Sequence, residues 1–155
     1  MESEQITYTS EITSYDTGYC LAQRVTEKYR EITAMVGMND MVAIGIMDAL
    51  TDKKFRVPYD YSVCGCDNTM ISQYHTISMT SVEHFNSNRG REAVDVLIRK
   101  IEQKHNHGEL WPESAVRMEF TPKLVARSTT GPNRKKKFRI LLLTQTSHID
   151  FRYTP

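Results

Sequence analysis

Hydrophobic and polar positions along the first half of the chain change period several times, and this predicts strands separated by helices. Short apolar runs over 5–9, 32–38 and 61–66 are typical of buried strands. Between them, apolar residues recur at intervals of three and four over 16–29 and 40–52, which predicts two amphipathic helices. Strands that alternate with helices indicate an α/β fold, with a parallel sheet flanked by helices.

Beyond the third strand the alternation of predicted strands and helices is less regular. A short helix is predicted over 70–75 and extended chain over 77–82. The clearest helix in the sequence covers 86–103, because its apolar residues keep helical spacing over several turns. Two further strand segments are predicted over 116–120 and 123–127. The apolar stripe of the long helix contains Gly90, Ala93, Val94, Leu97, Ile98 and Ile101.

The tail, residues 131–155, has a different character. A basic run over 133–139 leads directly into the apolar residues 140–143 and then into a polar end. Basic runs can contact nucleic acid, but they are more often solvated segments. We therefore expect the tail to be disordered or loosely packed.

Bulk properties exclude several classes of protein. The 155 residues suit one ordinary domain, and a net charge of +1 gives no overall field that favours a nucleic acid or an acidic partner. Three cysteines do not suggest a disulfide framework. No apolar run approaches the roughly 18 residues of a membrane span, and the amino end lacks the features of a signal peptide. We expect a cytoplasmic protein.

Candidate chemistry is sparse. Cys64 and Cys66 would share one face of a strand, but no second cysteine pair completes a thiolate zinc site, so buried small side chains are the preferred interpretation. His105 and His107 form an isolated pair without the spacing of a metal site. Phosphate-binding loops, nucleophile elbows and zinc-protease motifs are absent from the sequence. We therefore expect no enzyme activity, no metal and no cofactor.

Two polar residues at predicted strand ends are the best candidates for a binding site. Asn39 follows one buried strand and Asp67 follows the next. If these strands are neighbours in a parallel sheet, both side chains open into one crevice, where α/β sheets bind ligands. A carboxylate and an amide facing each other suit a polyhydroxylated ligand. The alternative is that Asn39 is only the N-cap of the helix that follows it.

Several ordered segments carry a resemblance to a known family. Residues 39–45 read N-D-M-V-A-I-G, and residues 57–68 read V-P-Y-D-Y-S-V-C-G-C-D-N. Met-Thr-Ser-Val at 79–82 precedes the G-x-x-A-V-x-x-L helix at 90–97, and L-V-A-R-S-T follows at 124–129. In this order the segments resemble the sensor domain of the lactose-repressor/galactose-repressor (LacI/GalR) family of bacterial transcription regulators.

The resemblance implies a type I periplasmic-binding-protein-like fold, with a sugar or another small effector held between two lobes. By position, Asn39 and Asp67 would contact the effector. Thr13 stands where the family often has a stacking aromatic residue, and Cys66 replaces the aromatic residue that usually precedes the aspartate. We therefore assign Asn39, Asp67, Thr13 and Cys66 to the effector site.

The resemblance also implies a homodimer. The helix that begins at Asp40 and the segment 70–75 would contribute to its interface. The candidate interface residues are Ile44, Met47, Ile71 and His75.

The matches cover about residues 1–130, which we take as a partial sensor domain. The carboxyl-terminal lobe is nearly complete, whereas 83–120 would belong to an incomplete amino-terminal lobe and leave the helical stripe uncovered. The DNA-binding helix-turn-helix of family members has no counterpart in this sequence. The leading hypothesis is a truncated effector-sensing domain of a LacI-type regulator, which would reach DNA only through a domain absent from this chain. The alternatives are a non-functional remnant or dimerisation module, and a solute-binding protein of sugar uptake.

Overall fold

A computed structural model describes residues 4–10, 13–107, 116–132 and 139–145 of the chain. Strands and helices alternate through most of this range. The strands are β1 Glu4–Ser10, β2 Ile32–Gly37, β3 Ser62–Cys66, β4 Thr80–Glu83, β5 Lys123–Val125 and β6 Arg139–Gln145. The helices are α1 Tyr15–Lys28, α2 Asp40–Asp52, α3 Met70–Gln73 and α4 Asn86–His107. The α/β fold class expected from the sequence is confirmed.

The six strands form a single sheet in the order β1-β6-β2-β3-β4-β5. All neighbours are parallel except β4 and β5, which run antiparallel. The prediction of a parallel sheet is therefore correct for its first five positions. Because β2 and β3 are direct neighbours, the chain segments that follow them lie at the same edge of the sheet.

Helices α1 and α2 pack closely together over one face of the sheet. At Gly45 a Cβ atom would overlap the carbonyl group of Tyr15, so only glycine allows this approach of α2 to α1. Two tyrosines also join the helices, since the Tyr15 hydroxyl donates to Asp48 at 2.9 Å and the Tyr19 hydroxyl donates to Asp52 at 2.6 Å. The core contains Ala22, Val25, Ile32, Met35, Val42, Ala43, Ile46, Ala49, Leu50, Tyr61, Val63, Met79 and Leu141.

The tail does not behave throughout as the sequence suggested. We expected residues 131–155 to be disordered or loosely packed, but Arg139–Gln145 forms β6 between β1 and β2. Leu141 on this strand is fully buried in the main core. A basic run next to leucines is locally typical of a solvated segment, and the pairing that orders these residues is with strands more than 100 positions away. The same prediction for residues 133–138 and 146–155 concerns positions outside the described residues.

The long helix α4 matches its prediction, and its stripe is uncovered as expected. Val94, Leu97, Ile98 and Ile101 are each about half exposed. The predicted strand over 116–120 is not formed. By resemblance these residues would belong to an incomplete amino-terminal lobe, and none of the strands in the described part of the chain pairs with them.

Candidate functional site

The two strand ends singled out in the sequence meet at the carboxyl edge of the sheet. Val36 on β2 is in register with Cys64 on β3, and both strands run in the same direction. Asn39 and Asp67 follow these strands by a few residues and are both partly exposed. The structure therefore brings Asn39 and Asp67 to one edge, as the spacing predicted.

Asn39 caps α2 and also contacts the segment before α1. Its side-chain oxygen accepts from the backbone N–H of Val42 at 2.8 Å, which satisfies one of the free donors of the first helical turn. Its side-chain nitrogen donates to the backbone oxygen of Thr13 at 3.4 Å. The capping role is confirmed, and Thr13 lies next to Asn39 as the effector-site assignment requires. Contact between these residues and an effector stays a prediction.

Asp40 organises this edge of the sheet, a role that sequence reasoning missed. The side chain is 1% exposed. One carboxylate oxygen accepts from the backbone N–H of Thr69 at 2.6 Å and from its hydroxyl at 2.7 Å, and the other accepts from the Ser81 hydroxyl at 2.6 Å. Such hydrogen bonds to an ionised group are the strong ones. Asp40 therefore joins the start of α2, the loop after β3 and strand β4.

The loop after β3 holds the second candidate ligand residue in an unusual backbone conformation. Asp67 and Asn68 have φ angles of 90° and 45°, a region that aspartate and asparagine enter more readily than most residues. The Asp67 N–H donates to the Val82 carbonyl at 2.8 Å, and the Asn68 N–H donates to the Ser81 hydroxyl at 3.0 Å. Among the described residues, the Asp67 carboxylate has no hydrogen-bond partner. Its acceptor oxygens are thus available to a ligand.

Both polar atoms of the Asn68 side-chain amide make hydrogen bonds. Its side-chain nitrogen donates to Glu83 at 2.9 Å, and its oxygen accepts from the Arg127 guanidinium at 2.6 Å. Arg127 also donates to the Met79 carbonyl at 2.6 Å. The Asn68 amide and then the Phe85 N–H lower the pKa of Glu83. The sequence offered one signal for this network, the arginine in the L-V-A-R segment, but nothing in its spacing indicated the partner.

Cys66 faces away from α2. Gly65 contacts Asp40 beneath α2, and strand alternation therefore turns Cys64 and Cys66 to the opposite face. Burial raises the pKa of both thiols, that of Cys66 to about 11 with smaller contributions from Cys64 and from nearby carboxylates. Within the described residues no group of three or more histidine, cysteine or acidic side chains could hold a metal ion.

This arrangement predicts the order in which the thiols react. Cys20 is exposed on α1, whereas Cys64 and Cys66 are partly buried with raised pKa values. Because the thiolate is the reactive form, a disulfide reagent at pH 7.5 should label one thiol fast and two slowly. Cys20→Ser should remove the fast phase and leave the slow ones unchanged. Three equal rates in the folded protein would contradict the placement of β3.

The four residues assigned to a dimer interface differ in exposure. Ile44 and Met47 are half-buried against the core, Ile71 is half-buried on α3, and His75 is exposed. The most exposed apolar side chains on the same two segments are ones that the sequence did not single out. They are Met41 at 45%, Tyr74 at 52% and Met70 at 73% exposure.

Two cavities lie elsewhere. One of about 710 Å³ opens at the amino edge of the sheet between the end of α1 and the α2–β3 loop, and contains Phe55 and Tyr59. The other, of about 670 Å³, lies between α4 and residues 116–120. Neither is lined by Asn39 or Asp67.

Comparison with known proteins identifies the family. Residues 2–130 match the family described as "Periplasmic binding protein-like domain". The chain belongs to this family. β6 lies outside the matched residues, although it is an inner strand, between β1 and β2, of the sheet that they form.

The chain resembles the sensor domains of LacI-type repressors. It is 31% identical over 114 residues to the transcriptional repressor PurR of Vibrio atlanticus, covering 74% of this chain and 32% of that protein. A LacI-type transcription regulator of Bifidobacterium animalis subsp. lactis superposes with a TM-score of 0.68 at 26% identity, covering 78% of this chain and 41% of that one. The Lac repressor bound to ONPG gives a TM-score of 0.63 at 28% identity, covering 76% and 34%.

The chain thus spans about a third of the length of the curated relatives that it matches. These relatives are transcriptional regulators rather than enzymes. In the described part of the chain, no helix is long and apolar enough to cross a membrane.

Proposed function

We propose that this domain senses a small polyhydroxylated effector, such as a sugar or a nucleoside, for a LacI-type transcription regulator. The observation that carries the proposal is that Asn39 and Asp67 follow two neighbouring parallel strands at the carboxyl edge of the sheet. Among the described residues, no group donates a hydrogen bond to the Asp67 carboxylate. The Lac repressor, which shares the fold, is described as bound to ONPG. Its binding partner supports a sugar-like ligand for this chain.

Two side chains provide complementary chemistry. The Asp67 carboxylate can accept hydrogen bonds from two ligand hydroxyls, and the Asn39 amide can both donate and accept. Thr13 borders the site through Asn39, and Cys66 precedes Asp67 on the face away from α2. Binding is non-covalent, without catalysis or a cofactor, and the regulator acts in the cytoplasm.

In an intact regulator, the effector would alter DNA affinity by favouring one of two arrangements of the lobes. A ligand shifts such an equilibrium only by its difference in affinity for the two states. DNA would be reached through a domain outside these 155 residues. The protein would act as a homodimer, with the α2 and α3 surfaces in contact; the exposed Met41, Met70 and Tyr74 support an interface there.

Removing the Asp67 charge should weaken effector binding. A ligand identified by isothermal titration calorimetry with monosaccharides and nucleosides should bind Asp67→Asn at least about tenfold more weakly, since a hydrogen bond to a charged group contributes about 1.5–3 kcal/mol. Asn39→Ala should weaken binding and also destabilise α2 by about 1 kcal/mol.

Asp95→Asn supplies the matched control, because Asp95 is an exposed carboxylate on α4 and belongs to none of the segments assigned to the site. It should leave the affinity unchanged. Equal affinities for the wild type, Asp67→Asn and Asp95→Asn would place the ligand elsewhere on the chain.

A further inference from the structure

β6 is unusual because it is both an inner strand and the last described element of the chain. Its neighbours on the two sides are β1 and β2, and all pairings are parallel. Leu141 is in register with Ile6 on one side and with Met35 on the other. The strand therefore fills a slot one strand wide between two elements of the family domain, while itself lying beyond the matched residues 2–130.

The chain reaches this slot by a short link. Residues before the link are fixed at the amino end of β3, where the Thr129 carbonyl accepts from the Val63 N–H at 2.8 Å and the Gly131 N–H donates to the Ser62 hydroxyl at 3.2 Å. Only residues 133–138 then separate Pro132 from Arg139. Because β6 follows all the other described strands, it can leave the slot and another strand can enter without threading through the rest of the fold.

A vacated slot would expose unpaired backbone groups on both β1 and β2. Such open edges recruit other strands, and main-chain pairing together with pockets for alternate side chains determines which strand fits. The sequence most complementary to the slot is β6 of a second copy. Reciprocal exchange would reproduce all the strand pairings of the closed monomer. The free-energy difference between the exchanged dimer and two closed monomers therefore depends mainly on the link and on protein concentration.

We propose that two copies of this chain exchange β6 through the slot between β1 and β2, which gives a reciprocally exchanged dimer. This interface is separate from the α2 and α3 surface, and the proposal does not depend on effector binding. In the closed monomer, the short link holds β6 at an effective concentration of the order of millimolar relative to its own slot. The exchanged fraction should therefore rise with the concentration at which the protein is refolded.

A disulfide trap can distinguish exchange from other dimers. Thr7 on β1 is in register with Leu142 on β6. In a background with Cys20, Cys64 and Cys66 changed to serine, one copy carries Thr7→Cys and a second, differently tagged copy carries Leu142→Cys. The two are refolded together over a range of concentrations, oxidised and separated on a non-reducing gel. A chain with both substitutions shows that the pair can cross-link within one molecule.

Exchange predicts a disulfide-linked heterodimer whose yield increases with concentration. If the doubly substituted chain cross-links as a monomer and the mixture yields no heterodimer at any concentration, the proposal is overturned. A dimer through the α2 and α3 surface would give no such cross-link.

The length of the link provides a second test. The slot lies two strand spacings from β3, about 9.6 Å. Deleting residues 134–137 leaves three peptide steps between Pro132 and Arg139, which span about 10 Å when fully extended. The closed monomer would then require a fully extended link without slack, whereas the exchanged dimer would not. This variant should shift the population strongly toward dimer by light scattering. Replacing the same four residues by Gly-Ser-Gly-Ser keeps the length of the link and should not shift the population toward dimer. A dimer in both variants would mean that loss of the basic residues, rather than strand exchange, causes dimerisation.

Discussion

Leu141→Asp should destabilise the protein severely, more than the loss of any hydrogen-bonded side chain at the candidate site. Leu141 is fully buried in the core, on a strand with neighbours on both sides. An aspartate at this position would bury a charge that has no partner, and such changes belong to the largest class of mutational effects. We expect a loss of about 4 kcal/mol or more in the free energy of unfolding, measured by urea denaturation followed by circular dichroism.

The matched control is Leu124→Asp. Leu124 lies on β5 at the edge of the same sheet and is 60% exposed. An exposed substitution of this kind should change stability by no more than about 0.5 kcal/mol. Similar losses for the two variants would mean that β6 does not complete the sheet.

Asp40→Ala should have the second largest effect. The substitution removes the acceptor of the buried Ser81 hydroxyl and of the partly buried N–H and hydroxyl groups of Thr69. Hydrogen bonds to a charged group contribute about 1.5–3 kcal/mol each, but these three share one side chain and do not add fully. We expect a loss of about 3 kcal/mol in urea denaturation, together with weaker effector binding because the loop that carries Asp67 loses its anchor.

Two variants test the cause of this loss. Asp40→Asn keeps one acceptor oxygen, and its free energy of unfolding should lie between those of the wild type and Asp40→Ala. Asp16→Ala removes an exposed carboxylate from the first turn of α1 and should cost at most about 1 kcal/mol. If Asp40→Ala and Asp16→Ala destabilise equally, Asp40 acts only through the charge at the helix terminus.

Local patterns predicted the central part of the fold well. The strand that ends before Asn39, the cap itself and helix α2 depend on interactions within a few residues, and all three occur as predicted. The parallel direction of β2 and β3 followed from the alternation of strands with helices, whereas their adjacency was a condition of the prediction that the structure fulfils. The meeting of Asn39 and Asp67 at one edge could therefore be anticipated.

Features that depend on distant partners were not anticipated. The hydrogen bonds of Asp40 were not predicted, because nothing near it in the sequence indicates Thr69 or Ser81. β6 was assigned to a loose tail for the same reason: its leucines are ordered by β1 and β2 rather than by their own neighbours. The strand expected over 116–120 is not formed, since none of the described strands pairs with these residues.

The central claim is that the effector lies at the carboxyl edge of the sheet, against Asn39 and Asp67. The most direct measurement is a titration of the ¹⁵N-labelled chain with the ligand found by calorimetry, followed by amide chemical shifts. We expect the largest shifts at residues 13–14, 39–40 and 67–69, and we expect Asp67→Asn to reduce them strongly at a ligand concentration near the wild-type Kd. Shifts confined to the amino-edge cavity around Phe55 and Tyr59, or no shifts with any sugar or nucleoside while the protein is folded, would contradict this claim.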